Sequence, residues 1–116
     1  MSELDQALDR LRSHPGVDHV LVLGRDGLLI QHAGGPLDAE TVSAMVPGVA
    51  GAAAALGGAA GLGPAQTVVI RLEQGVAVVQ GLNDEVLLAV LLRGGTGFAP
   101  LLRELADGRE RLAALV

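Results

Sequence analysis

The sequence predicts an α/β (α+β) fold of three layers, in which a five-stranded antiparallel sheet lies between helices. Helical and strand patterns follow one another in the order α-β-β-α-β-β-β-α along 116 residues, a length that suits one domain. The connections between successive strands are short, as antiparallel neighbours require. Both faces of the strands are apolar, so both must be covered, and we expect one helix on one face and two on the other.

The first helix and the hairpin after it have clear boundary signals. Ser2 can cap the helix, with Asp5 three residues later as a capping-box variant. Residues 19–24 and 28–33 read as two strands, and Arg25-Asp26-Gly27 between them is a tight-turn sequence. The apolar stripe of the helix consists of Leu4, Ala7, Leu8 and Leu11.

The second helix is unusual because it carries no charge beyond its first turn. Asp38 caps it, it extends to about Leu56, and Pro47 inside it should bend it or remove a hydrogen bond. No charged residue occurs from Thr41 to Ile70. That run is long enough to span a bilayer. It is mostly Ala and Gly, which supply little insertion energy, so we predict no membrane insertion.

The two sides of this second helix differ in the size of their side chains. At about 100° per residue, the larger side chains fall on one side, which we expect to face the sheet: Val42, Met45, Val46, Val49, Ala53 and Leu56. The opposite side carries small residues where a surface helix normally carries charges: Ala44, Gly48, Gly51, Ala55 and Gly58. Each helical glycine costs about 0.8–1 kcal/mol relative to alanine, so we expect another polypeptide to cover this side. The alternative is harmless exposure of a helix whose composition reflects a GC-rich genome.

Three further strands and a third helix complete the chain. The strands cover residues 66–73, 75–82 and 86–93 and form an antiparallel meander. The first of them contains neither Pro nor Lys, so at a sheet edge it would be open to pairing with a second chain. The last helix starts at Thr96 or Gly97, and its apolar stripe consists of Phe98, Leu101, Leu102, Leu105 and Leu112.

Composition argues against several classes of function. The net charge is −5, lysine is absent and Phe98 is the one aromatic residue, so the chain lacks the basic patch and stacking rings of a nucleic-acid binder. Without lysine there is no P-loop, and without cysteine no disulfide or thiolate chemistry. The three histidines, His14, His19 and His32, show no metal-ligand spacing. We predict no catalytic site, metal or cofactor, and a cytoplasmic location because no signal peptide is visible.

These patterns resemble the roadblock / dynein light chain family. The resemblance covers nearly the whole chain and rests on the element order, the hairpin of residues 20–30, the small-residue second helix and the closing block of residues 83–92. It implies a profilin-like or longin-like fold with the strand order second, first, fifth, fourth, third. It also implies homodimers that join edge to edge through the third strand with their second helices side by side. On this chain the dimer interface would contain Ala44, Gly48, Gly51, Ala55, Thr67, Val69 and Arg71.

The resemblance implies a partner as well. Family members commonly bind Ras-like small GTPases, and some bacterial and archaeal members stimulate GTP hydrolysis. The GTPase typically docks on the paired second helices, which here would present Ala44, Pro47, Gly48, Ala50, Gly51, Ala54 and Ala55. We therefore expect a single roadblock domain over residues 1–116 that acts as a homodimeric regulator or adaptor of such a GTPase, not as an enzyme.

Two other functions remain open at this point. The first is a purely structural dimeric scaffold with no effect on a nucleotide cycle. The second is a small-molecule sensor, although no cluster of convergent polar groups is visible. Arg25 at the hairpin tip is either a solvated turn charge or an arginine supplied in trans to phosphoryl transfer. A small GTPase encoded by an adjacent gene would favour the regulator over the scaffold.

Overall fold

The computed structural model describes residues 2–95 and 97–116, and its elements follow the predicted order. The predicted start of the last helix at Thr96 lies outside the described residues, and Gly97 precedes the helix. The second helix continues to Ala59 and does not end near Leu56. The elements are α1 Glu3–Arg12, β1 Val17–Gly24, β2 Leu29–Gly34, α2 Ala39–Ala59, β3 Thr67–Leu72, β4 Gly75–Gly81, β5 Val86–Arg93 and α3 Ala99–Ala113.

The strands form one antiparallel sheet in the order β2-β1-β5-β4-β3, so the order implied by the resemblance is confirmed. Strands β1 and β5 are neighbours within the sheet, with Val20 opposite Val90. Strands β2 and β3 form the two edges. Because the chain returns from β2 to β3 through α2, this helix crosses one face of the sheet and connects its opposite edges.

The alternation of side chains along the strands builds one apolar layer on each face of the sheet. One layer packs against α1 and α3 and includes Leu8, Leu11, Val20, Val22, Val78, Leu88, Val90, Leu101 and Leu105. The layer on the other face is smaller and lies under α2, where it includes Leu21, Leu23, Ala39, Val46, Val79, Leu87 and Ala89. The predicted arrangement of two helices on one face and one on the other is confirmed.

Local hydrogen bonds fix the starts of the first two helices. The Ser2 hydroxyl accepts a hydrogen bond from the Asp5 amide at 3.0 Å, and the Asp5 carboxylate accepts one from the Ser2 amide at 3.3 Å, which completes the predicted capping box. Asp38 caps α2 by accepting hydrogen bonds from the Thr41 hydroxyl at 2.7 Å and the Thr41 amide at 3.3 Å. These two bonds, the hydroxyl first, hold the pKa of Asp38 below its ordinary value.

Helix α2 contacts the sheet in a different rotation from the predicted one. Met45 and Leu56 were expected against the sheet, and this expectation is wrong, because their side chains are 68% and 69% exposed. Val46 is buried and Val42 packs against the layer under α2, both as predicted, whereas Ser43 is buried and Ala50 packs against this layer although neither was expected there. The helix therefore meets the sheet through Val42, Val46 and several small side chains, and two of its largest apolar side chains are exposed.

Helix α2 is also long and apolar enough to cross a membrane by length and composition, with a mean hydropathy of 1.5. Its buried side covers Leu21, Leu23 and Leu87 on the sheet. Transfer of the helix into a bilayer would expose these side chains to water, at a cost set by their apolar area. The absence of membrane insertion stays a prediction.

Candidate interaction surface

The side of α2 that points directly away from the sheet carries only small, uncharged residues. We call it the small-residue face, and it consists of Ala44, Gly48, Gly51 and Ala55, all of which are exposed. Their spacing of three and four residues places them along one line of the helix. Within the described residues, and apart from the adjoining helix backbone and the two chain neighbours, no atom comes within 4 Å of a Cβ built at Gly48 or Gly51. Contacts inside the chain therefore do not require glycine there, and the small residues permit close approach of another backbone.

The other residues predicted to contact a GTPase do not all lie on this face. Ala54 is exposed and Pro47 is half-buried, and both flank the small-residue face on one side. Ala50 is half-buried and packs towards the sheet. The exposed Met45 and Leu56 flank the small-residue face on its other side. The outward surface of α2 therefore presents more apolar area than the sequence indicated.

The second part of the predicted interface lies on the edge strand β3. Thr67, Val69 and Arg71 are exposed and alternate with the half-buried Val68 and Ile70. The register between β3 and β4 is regular along the whole strand. An exposed edge strand without a bulge offers a continuous row of backbone groups to another strand. Strand β3 therefore has the geometry that edge-to-edge pairing needs.

The opposite edge, β2, is less suited to pairing. A bulge interrupts its register with β1 between Val22 and Leu23, and a bulge increases local twist and blunts an edge. The side chain of Gln31 on β2 donates a hydrogen bond to the Asp5 carboxylate of α1. The two edges of the sheet are therefore not equivalent, and β3 is the better template for a second chain.

A histidine pair that the sequence did not reveal lies across β1 and β2. His19 Nδ1 and His32 Nε2 are 3.2 Å apart, so one ring can donate a hydrogen bond to the other. Burial, followed by the neighbouring His32, lowers the pKa of His19, while Asp18 acts in the opposite direction. No group of three or more His, Cys, Asp or Glu side chains that could hold a metal ion occurs within residues 2–95 and 97–116. Only strand register brings the two rings together, because the histidines are 13 residues apart in sequence.

Arg25 contacts its own chain at the hairpin tip. Its Nε donates a hydrogen bond to the Asn83 carbonyl at 3.0 Å, and its backbone amide donates to the Glu85 carbonyl at 2.8 Å. Both contacts join the β1–β2 turn to the β4–β5 turn. The guanidinium is therefore held along the surface of this chain, which favours its interpretation as a turn charge.

Comparison with known proteins agrees with this architecture. A Roadblock/LC7 domain from Streptomyces avermitilis is similar with a TM-score of 0.86 and 24% identity, covering 97% of each chain. Myxococcus xanthus MglB is similar with a TM-score of 0.86 and 16% identity, over 98% of this chain and 94% of that one. The gliding protein MglB from Thermus thermophilus has a TM-score of 0.84 and 21% identity, over 97% and 87% of the two chains. At these identities the likeness establishes the fold.

The sequence itself carries the family assignment. No curated protein sequence matches this chain significantly. A family model described as Roadblock/LC7 domain, however, matches residues 3–92, which extend from the start of α1 almost to the end of β5. This match includes α2 and the edge strand β3, the two elements that form the candidate surface. The chain therefore belongs to the Roadblock/LC7 domain family.

Proposed function

We propose that this chain forms a homodimer that binds a Ras-like small GTPase and modulates its GTP hydrolysis or localisation in the cytoplasm. The observation that carries the proposal is the small-residue face of α2, which points away from the sheet and lies in a stretch without charges. The resemblance stated above implies GTPase partners for such domains. Similar structures include an MglB described with a tetrameric arrangement, which supports self-association as a property of this fold.

A dimer can be built from the two exposed elements together. Antiparallel pairing of two β3 edges about a two-fold axis perpendicular to the sheet would continue the sheet through both copies. Such an axis leaves the two α2 helices on the same face of the extended sheet. With Val69 at the axis, Thr67 lies opposite Arg71 across the interface. Beyond their first turns, the paired helices then form one uncharged surface, which suits a single partner.

The chain would act on a GTPase without nucleotide chemistry of its own. It has no lysine for a P-loop, and Arg25 is held against its own β4–β5 turn. A regulator of this kind repositions groups that the GTPase already possesses. A scaffold would bind the same GTPase and leave its hydrolysis and exchange rates unchanged.

Sedimentation of variants tests the dimer. Gly51→Glu places a carboxylate on the small-residue face, and Val69→Asp places one at the strand edge. Each should convert the dimer into a monomer, because a buried unpaired charge is strongly destabilising. Gly108→Glu is the matched control, since Gly108 is also a helical glycine with no atom beyond its adjoining helix backbone and chain neighbours within 4 Å of its Cβ position, but it lies in α3 on the other face. A wild-type protein that sediments as a monomer at high micromolar concentration would refute the dimer.

A hydrolysis assay tests the regulation. The probe is a small GTPase encoded by an adjacent gene, loaded with GTP and mixed with saturating wild-type protein or Gly51→Glu. We expect the wild type to change the rate of hydrolysis or exchange and the variant to lose this effect. Binding without any change in either rate would support the scaffold, and absence of binding would refute the GTPase partner.

A further inference from the structure

A cleft of about 510 Å³ lies at the end of the sheet where the β1–β2 turn meets the β4–β5 turn. We call it the hairpin cleft, and its lining includes Arg25, Asp26, Leu28, Ile30, Asp84 and Glu85. It is separate from the small-residue face, although Gly27 in the β1–β2 turn lies close to the backbone of Ala44 in α2. Because the cleft combines apolar and charged groups, a partner that binds there must supply both apolar groups and a complementary charge.

The apolar part of the hairpin cleft is unusually exposed. Leu28 is 69% exposed and Ile30 is 50% exposed, whereas the aliphatic residues of the central strands β1, β4 and β5 are largely buried. A bulge in the β1–β2 register displaces Ile30 from direct pairing with β1. Burial of these two side chains against a partner would remove apolar surface from water, which is the main driving force of association.

The charged part of the hairpin cleft is acidic. Among the described residues that line it, Asp26, Asp84 and Glu85 contribute carboxylates and Arg25 contributes one guanidinium. The Arg25 Nε is engaged with the Asn83 carbonyl at 3.0 Å, so this cation is held against the β4–β5 turn. An arginine or lysine side chain complements both the apolar and the acidic part of the hairpin cleft. Such a side chain buries its aliphatic carbons and leaves its charged end at a polar rim.

Hydrogen bonds hold both turns of the hairpin cleft in place. The Leu28 amide donates to Asp26 Oδ1 at 3.0 Å, and the Gly24 amide donates to the Leu28 carbonyl at 2.9 Å. On the other side, Asn83 Oδ1 accepts hydrogen bonds at 2.8 Å from the amides of Glu85 and Val86. A cleft whose backbone is fixed beforehand loses little conformational entropy on binding.

We infer that the hairpin cleft docks a protein segment in which an arginine or lysine is flanked by apolar side chains. Its basic head meets Asp84 and Glu85, and its stem and apolar neighbours pack on Leu28 and Ile30. Nucleic acids do not fit, because their phosphates would meet carboxylates. This docking site stands apart from the GTPase proposal, since it needs neither the small-residue face nor a nucleotide.

Titration of the isotope-labelled full-length protein with a blocked peptide, Ser-Leu-Arg-Leu-Ser, tests the inference by NMR. We expect saturable shifts at the amides of residues 26–30 and 84–86. A peptide with glutamine in place of arginine should bind about two- to fivefold more weakly, the range expected for one exposed ion pair. Glu85→Gln should weaken binding of the arginine peptide by a similar factor and leave the glutamine peptide unaffected.

Matched variants separate docking from non-specific attraction. Leu28→Ser should weaken binding about fivefold or more because it removes an apolar contact. Leu62→Ser is the control and should have no effect on binding, because the Leu62 side chain is 83% exposed and lies outside the cleft. Asp107→Asn removes an exposed carboxylate on α3 and is the charge control for Glu85→Gln. Three results would each overturn the inference: equal affinity for both peptides, chemical shift changes that map outside the hairpin cleft, or binding that does not saturate. The limit for saturation is about 10 mM peptide, which lies beyond the millimolar dissociation constants of weak complexes.

Discussion

Replacement of Ser43 by alanine should stabilise this protein, although it removes a group that can form hydrogen bonds. Ser43 lies in α2 and is completely buried against the sheet. Among the described residues, its Oγ is a buried side-chain oxygen with no hydrogen-bond partner. A buried polar group that gives up water and gains no partner costs about 1–3 kcal/mol. Ser43→Ala removes that cost and keeps the small volume that lets α2 approach the sheet.

The expected gain in the free energy of unfolding follows from two stabilising contributions and one destabilising contribution. Removal of the unpaired hydroxyl contributes about 1–3 kcal/mol, and the higher helix propensity of alanine adds up to about 0.5 kcal/mol. Loss of packing around one oxygen atom subtracts a smaller amount, because the cavity left is smaller than a methyl group. A net gain of about 1–2 kcal/mol should raise the melting temperature by about 4–8 °C for a chain of this size.

Thermal and urea unfolding followed by circular dichroism measure this gain. Ser2→Ala provides the matched control, because the same chemical change there removes the N-cap hydroxyl that accepts a hydrogen bond from Asp5. That variant should lose about 1 kcal/mol. Opposite signs for the two variants would support the reasoning. A Ser43→Ala protein that is no more stable than the wild type would refute it, because the hydroxyl must then have a partner.

Two further predictions concern the β1–β2 edge of the sheet. Gly34→Ala should destabilise the fold by about 1–3 kcal/mol. Gly34 has a φ of +150°, and an added Cβ would lie 2.7 Å from the Asp18 carbonyl and also against the His19 ring. Urea unfolding of this variant measures the loss, with Gly35→Ala as the control because the Cβ position of Gly35 is open. Burial, and then His32, lowers the pKa of His19 in the folded protein. The unfolded chain therefore binds more protons than the folded chain, and the free energy of unfolding should fall as the pH drops through about 6.5. Urea midpoints at successive pH values should show a weaker dependence for His32→Asn than for His14→Asn, and equal slopes would contradict the role of the pair.

Most of the fold could be predicted from sequence because its signals are local. Ser2 and Asp38 cap helices through residues three positions away, and the capping bonds form as expected. The turns and short connections force neighbouring strands to be antiparallel, and the strands are apolar on both faces. These facts fixed the element order and the need for helices on both sides. The order of strands in the sheet came only from resemblance to a family, because local signals do not say which edges meet.

The candidate surface was predicted less completely. The small residues at positions 44, 48, 51 and 55 were expected to share a side that points away from the sheet, and they do. Met45 and Leu56 were assigned to the core and are exposed. The hairpin cleft and the histidine pair were not anticipated, since each joins residues from separate strands or turns. No spacing in the sequence indicates such neighbours before the register is known.

The sequence by itself determined which segments become helices and strands, that both sheet faces are covered, and that α2 has a side without charge. Only the tertiary structure decided how α2 is rotated and which groups meet across the sheet. The physical reason is that alanine and glycine differ little in hydrophobicity, so the periodicity of α2 defines its rotation weakly. Packing then selects the rotation in which small residues such as Ser43 and Ala50 allow close contact with the sheet.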